Sequence, residues 1–229
     1  MATISEIHFG TDGWRAVIGE NFTFENVRIA AQAVADHFKR ANARTTKKIF
    51  IIGYDRRFLS NEFAAAAAEV LAGNGFEVIL SDRPVPTPAV SWWVPQLKGR
   101  AGLMITASHN PPRFNGLKLK LHHGGPAGER VCGAVEAKLG KSAVRAMPLE
   151  KARRKKLVKL RDLRPRYFAA LRKLVDFKRI AKSKLRFGHE ALFGVGAGCF
   201  KELLEGTNCV VRTFNGEHDP NFGGICPEP

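Results

Sequence analysis

The chain has 229 residues, 45% of them hydrophobic, and a formal net charge of +16. That length suits one large domain or one and a half ordinary ones, and that apolar fraction argues against a disordered chain. No run of about twenty apolar residues occurs, so no transmembrane helix is expected. The stretch Met1 to His8 lacks a basic-then-apolar leader pattern, which points to the cytoplasm.

Thr23 is a plausible N-cap for a helix carrying Val27, Ala30, Ala31, Val34 and Phe38 at helical spacing. The β-branched run Ile49 to Gly53 reads as a strand. Ser60 is expected to cap a second helix with Phe63, Ala67, Val70 and Leu71, closed by Gly73. Phe76 to Leu80 is the next strand. Pro84, Pro86, Pro88 and Pro95 make the following stretch a turn-rich connection. Ala101 to Ile105 is a third strand, and Val131 to Leu139 fits a helix. Pro165 opens a helix with Phe168, Leu171, Leu174 and Val175 on one face. A strand from Leu185, the glycine run Gly194 to Gly198, a short helix through Leu204 and a strand from Asn208 to Phe214 follow. Strands alternating with helices argue for an α/β fold.

The charge is concentrated. From Lys141 to Glu190 there are 18 Lys or Arg against 4 Asp or Glu, a net of +14. The run Lys151 to Lys156 is a candidate polyanion patch, with a solvated linker and helix face as the simpler reading. No aromatic residue interleaves it to stack bases, so nucleic acid is not the expected partner. Cys132, Cys199, Cys209 and Cys226 show no CxxC spacing and indicate neither a zinc site nor a disulfide framework.

The chemistry concentrates at Thr106-Ala107-Ser108-His109-Asn110-Pro111-Pro112, followed by Asn115-Gly116-Leu117-Lys118. A serine placed directly after a short buried strand sits where open α/β sheets bind ligands. Its hydroxyl is suited to carry a phosphoryl group, and a lysine ten residues on is suited to move a proton. This loop resembles the phosphoserine loop of the α-D-phosphohexomutases, the phosphoglucomutase/phosphomannomutase family. Three further stretches resemble the same family: Phe9-Gly10-Thr11-Asp12-Gly13-Trp14-Arg15, Gly53-Tyr54-Asp55-Arg56-Arg57 and Asp219-Pro220-Asn221-Phe222-Gly223-Gly224.

The resemblance implies a mixed α/β sheet domain with helices on both faces over 1–150, a basic linker over 151–164 and an incomplete second α/β domain over 165–229. It implies transfer of a phosphoryl group between the C1 and C6 oxygens of a hexose through phosphoserine Ser108. Lys118 is then the general acid/base, and Arg15 the guanidinium that approaches the phosphoserine with paired donors. His109 either hydrogen-bonds the phosphate, shuttles a proton or is an ordinary surface histidine. Lys120 leaves open a strand with outward lysines. Gly10 and Gly13 are expected to permit a tight turn. The glycine run from Gly194 is expected to allow close strand–helix packing, and Phe193 stands where the family usually has a histidine.

The family's cofactor is magnesium, held by an oxygen on the serine and three aspartates of a DGDxDR-type loop, and its activator is a hexose 1,6-bisphosphate. No such loop occurs in these residues, so Ser108 is one metal ligand of an incomplete set. Hexose phosphates and a missing C-terminal half are the expected partners, and this chain alone is expected to be inactive. Two other readings stand beside it: a non-catalytic sugar-phosphate-binding remnant, and a polyanion-binding protein using residues 141–190.

Overall fold

The computed structural model describes residues 7–10, 12–40, 47–225 and 227. Thr11 and Cys226, named above, lie outside them. The first region holds β1 (Trp14–Val17), α1 (Phe24–Arg40), β2 (Ile49–Tyr54), α2 (Ser60–Gly73), β3 (Glu77–Ser81), α3 (Thr87–Gln96), β4 (Ala101–Ile105), β5 (Phe114–Leu121), α4 (Glu129–Glu136), α5 (Leu149–Arg154) and β6 (Val158–Arg161). α6 (Arg164–Arg172), α7 (Phe177–Lys182), β7 (Arg186–Glu190), α8 (Cys199–Leu203), β8 (Val210–Phe214) and a 3-10 turn at Phe222–Gly224 follow.

Six strands form one mixed sheet in the order β1-β5-β4-β2-β3-β6. β4, β2, β3 and β6 are mutually parallel, and β5 is antiparallel to both β4 and β1. Parallel strands need cover on both faces, and the alternation along β2 provides for it. Phe50 and Ile52 join a core with α1, α2, α4 and α5, whereas Ile51 joins a second core with α3, Met104 and Leu163. α2 packs closely because Ala64, Ala66, Ala67 and Ala68 are all buried. The larger core ends in a chain of ring contacts from Trp14 through Phe22 to Phe63, with centroids 4.7 and 4.8 Å apart. Each buried ring of this kind stabilises the fold by about 1.5–3 kcal/mol.

Thr23 caps α1 as expected, its Oγ1 accepting from the Asn26 N–H at 3.2 Å. Three expectations and one open alternative give way. Ser60 does not cap α2: Leu59 stands at that position, and the Ser60 hydroxyl donates instead to Asp55 Oδ1 at 2.8 Å. The proline-rich stretch is largely the helix α3, because Pro88 lies in the first turn, where no N–H is needed, and Pro95 in the last. Lys118 and Lys120 lie on a strand but point inward, each only 6% exposed. The basic stretch 151–164 is not a linker: it forms α5 and β6, and β6 pairs with β3 in parallel. β6 ends the sheet, and its exposed Lys159 and Arg161 are the kind of charge that discourages a further strand from adding to an edge.

The glycine-rich second region is thinner. β7 and β8 pair in parallel as a two-stranded sheet, and along both strands exposed residues alternate with half-buried ones. The apolar face of the Pro165 helix is buried only at Phe168: α6 ends at Arg172, and beyond it Leu174 is 79% exposed. Within the described residues, no helix is long and apolar enough to cross a membrane.

Candidate active site

β3 lies on one side of β2 and β4 on the other, and α2 and α3 cover opposite faces. A crevice therefore opens at the carboxyl ends of β2 and β4, the place where open sheets take ligands. The loop after β2 carries Asp55, Arg56 and Arg57, and the loop after β4 carries Ser108.

Ser108 has φ 58°, a left-handed conformation that costs a non-glycine residue about 1–3 kcal/mol unless its surroundings impose it. They do so from both sides. Its N–H donates to Thr106 Oγ1 at 3.1 Å, and its carbonyl accepts from Arg57 Nη2 at 2.7 Å. The same guanidinium donates to the carbonyls of Asn110 at 2.7 Å, Pro111 at 2.9 Å and Phe114 at 3.1 Å. Its Nε lies 3.3 Å from Asp55 Oδ2, and its side chain is wholly buried. Asp55 also accepts from the Arg57 N–H at 3.0 Å, and Ser60 accepts from Asn115 Nδ2 at 2.9 Å. One buried arginine thus shapes the whole serine loop. The sequence motif marked Arg57 without revealing that its role is to gather backbone carbonyls.

Arg15 pairs across the sheet with Gly116. A Cβ on Gly116 would stand 3.1 Å from Arg15 Cγ and 2.6 Å from the Thr106 carbonyl, so the bare backbone lets the guanidinium lie against the serine loop. There Nη1 donates to Asn110 Oδ1 at 2.8 Å. Lys118, opposite Met104 of β4, reaches Asp12 Oδ2 at 2.5 Å, and Lys120 reaches Asp12 Oδ1 at 3.4 Å. Gly13 permits this approach: at φ 104° it has no room for a Cβ, which would stand 2.5 Å from the Leu117 carbonyl. Burial works to raise the Asp12 carboxyl, but the Lys118 hydrogen bond and the charges of Lys118 and Lys120 outweigh it and hold Asp12 below the ordinary carboxylate range. The loop and lysine motifs did not reveal this pair, because its two halves lie 106 residues apart.

Ser108, Asp55, Arg56 and Thr106 line a cavity of about 420 Å3, closed from the second region by His189, Glu190 and the Gly194–Gly196 run. Arg15, Lys118 and His109 are not among the residues that line it, and His109 is exposed at the loop tip. The glycine run thus borders this cavity, and the Gly194 carbonyl accepts from Arg56 Nη1 at 3.1 Å. Phe222 closes another wall, buried beneath the Arg57 guanidinium at 5.2 Å. Phe193 packs its ring against Gly223. Sequence reasoning missed His189, whose Nδ1 is buried without a hydrogen-bond partner among the described residues. Among the described residues, no three His, Cys, Asp or Glu side chains come together to hold a metal ion. Ser108 offers one oxygen where a hard cation takes about six or more, so the residues present do not fit a complete magnesium site.

A serine loop at the carboxyl end of a parallel strand, on a sheet covered by helices on both faces, defines an α/β domain with its candidate site at the strand ends. Residues 6–145 match the family model of phosphoglucomutase/phosphomannomutase, alpha/beta/alpha domain I, and the chain belongs to that family. It is 30% identical over 237 residues to a phosphoglucomutase of Staphylococcus aureus (strain MRSA252), covering 96% of this chain and 41% of the relative. A stretch of 116 residues is 41% identical to a "probable phosphoribomutase" of Schizosaccharomyces pombe, covering 49% of this chain and 20% of that protein. The crystal structure of a "putative phosphomannomutase" from Thermus thermophilus superposes with a TM-score of 0.87 at 37% identity, over all of this chain and 50% of that one. The chain therefore spans about half or less of the length of these relatives.

Proposed function

We propose that this chain supplies the phosphoserine side of an intramolecular phosphoryl transfer between hexose 1-phosphate and hexose 6-phosphate. The observation that carries this is Ser108 at the carboxyl end of β4, on the cavity wall, in a backbone conformation set by Arg57. In this reading a sugar hydroxyl attacks the phosphorus of phospho-Ser108. The new O–P bond forms as the serine O–P bond breaks, and the serine oxygen leaves as the alkoxide that later accepts the phosphoryl group back. The hydroxyl's proton passes to Lys118 acting in its neutral form, which requires its amine to turn from Asp12 toward a cavity that it does not line here. Arg15, now held by Asn110, swings its fork to the phosphoryl oxygens, and His109 at the loop tip meets the same group. Positioning and charge dominate catalysis of this class. Magnesium and a hexose 1,6-bisphosphate belong to the proposal as cofactor and activator. The metal's further ligands would come from outside these residues, and no step here runs through it.

The test is incubation with glucose 1,6-bisphosphate and magnesium, followed by phosphopeptide mapping. Phosphate on the Ser108 peptide, lost in Ser108→Ala, is the expected outcome. Phosphate on another residue with Ser108 unmodified contradicts the assignment.

A further inference from the structure

A second depression, of about 410 Å3, lies beside the serine cavity and shares only Arg56 with it. Three guanidiniums converge there, each following a different parallel strand: Arg56 after β2, Arg83 after β3 and Arg164 after β6. Its far side is formed by Ala197, Gly198 and His218 of the second region.

The cations outnumber their partners. Arg83 donates to both Glu202 oxygens at 3.0 and 2.9 Å and meets Asp162 Oδ2 at 2.7 Å. Arg164, only 7% exposed, shares Glu202 at 2.9 Å, and its Nε and Nη2 donate to the Pro84 carbonyl at 3.1 and 2.7 Å. Two carboxylates thus serve two arginines. Arg56 has none at ion-pair distance among the described residues, and its Nη1 is used on the carbonyls of Gly194 and Gly216, both at 3.1 Å. Burial and then the charge of Arg164 work against its cation, and Glu217 offsets them only in part. His218 stands at the same rim, its Nε2 3.0 Å from the Arg56 carbonyl. An isolated half-buried cation facing a second cation is a costly arrangement. A dianionic oxyanion in the depression would offset it.

We infer that this depression binds a phosphate-class oxyanion, either inorganic phosphate or the phosphoryl end of a sugar phosphate, at a site separate from Ser108. Guanidinium forks match phosphoryl oxygens in geometry as well as charge, and the carboxyl ends of parallel strands are where open sheets take such ligands. A bound oxyanion would also tie three loops of the large sheet to the second region. The inference does not rest on the phosphoserine reading.

The experiment is calorimetric titration of the full chain carrying Ser108→Ala with inorganic phosphate at fixed ionic strength, with chloride as control. Saturable binding in the Ser108→Ala protein is expected. Adding Ala197→Asp, which places a carboxylate in the depression, should weaken it more than about tenfold at an unchanged circular dichroism spectrum. Arg56→Lys, which keeps the charge and loses the fork, should weaken it to a smaller degree. Should Ala197→Asp lose the native spectrum, Arg56→Lys and His218→Ala carry the comparison. Hexose 6-phosphate binding as tightly as phosphate identifies a site that reads the phosphoryl group alone. Tighter binding, still sensitive to Ala197→Asp, identifies the sugar ester as ligand. No saturable binding, or binding indifferent to these substitutions and so located outside the depression, overturns the inference.

Discussion

The six-stranded sheet is covered on both faces, by α1 and α2 on one side and α3 on the other, and Trp14, Phe50 and Tyr54 on its strands are interior. The β7–β8 pair follows the same strand–helix alternation, yet Phe214, Val210, Leu185 and Phe200 are exposed. Of the large apolar side chains after Phe168, only Leu204 and Phe222 are buried among the described residues. Two strands and short helices cannot enclose a core, so the second region is held to the first largely by polar contacts. Arg83 grips Glu202 together with Arg164, and Arg56 grips two carbonyls. The large sheet presents a preset serine loop, and the second region adds one wall of the cavity without a core of its own.

The strongest way to break this comparison is within the large sheet. Replacing Arg57 by Met removes the guanidinium from four carbonyls and leaves the Asp55 carboxylate without its ion-pair partner, and should cost about 3–5 kcal/mol in denaturant unfolding. A cost under about 1 kcal/mol would show that the arginine does not shape the loop. Truncating rings in the two regions sharpens the contrast. Phe63→Ala, at the heart of the larger core, should cost about 3–5 kcal/mol, and the exposed Phe214→Ala within about 1 kcal/mol. Equal costs would mean that the second region has a core of its own. Glu202→Gln should cost about 1.5–3 kcal/mol. Its effect should appear as faster amide exchange in β7 and β8 with β2 and β4 unchanged.

The smallest effect concerns acid. Asp12 is held below its ordinary value of 3.8 by Lys118 and Lys120. A depressed carboxyl contributes stability that is fully present above the ordinary value and lost as pH falls below it, through the lower folded value. Asp12→Asn should therefore flatten the acid limb of the stability curve below about pH 4 and leave its slope near neutral pH unchanged. A steeper acid limb in the variant would contradict the pairing.

The sequence marks the elements of the large sheet wherever periodicity is strong, as in α1 and β2, and marks the serine loop by its motif. It conceals α3, because prolines in the first and last turns look like turn punctuation. It conceals β6, because a basic edge strand reads like a linker. β1 and β5 sit inside motifs read for their chemistry, and their pairing comes from contacts about a hundred residues apart. The same distance hides the Asp12–Lys118 pair and the reach of Arg57 to the carbonyls after β4. Local spacing carries no information about such partners until the sheet brings them together.

The most direct test of the account is a coupled mutase assay of the purified 229-residue chain with glucose 1-phosphate, glucose 1,6-bisphosphate and magnesium. The account predicts no measurable glucose 6-phosphate, because the serine loop is in place while the residues present do not form a magnesium site or enclose the sugar. Turnover within about tenfold of the common enzymatic median of roughly 10 per second would contradict it, since this chain would then supply the whole of the catalytic machinery.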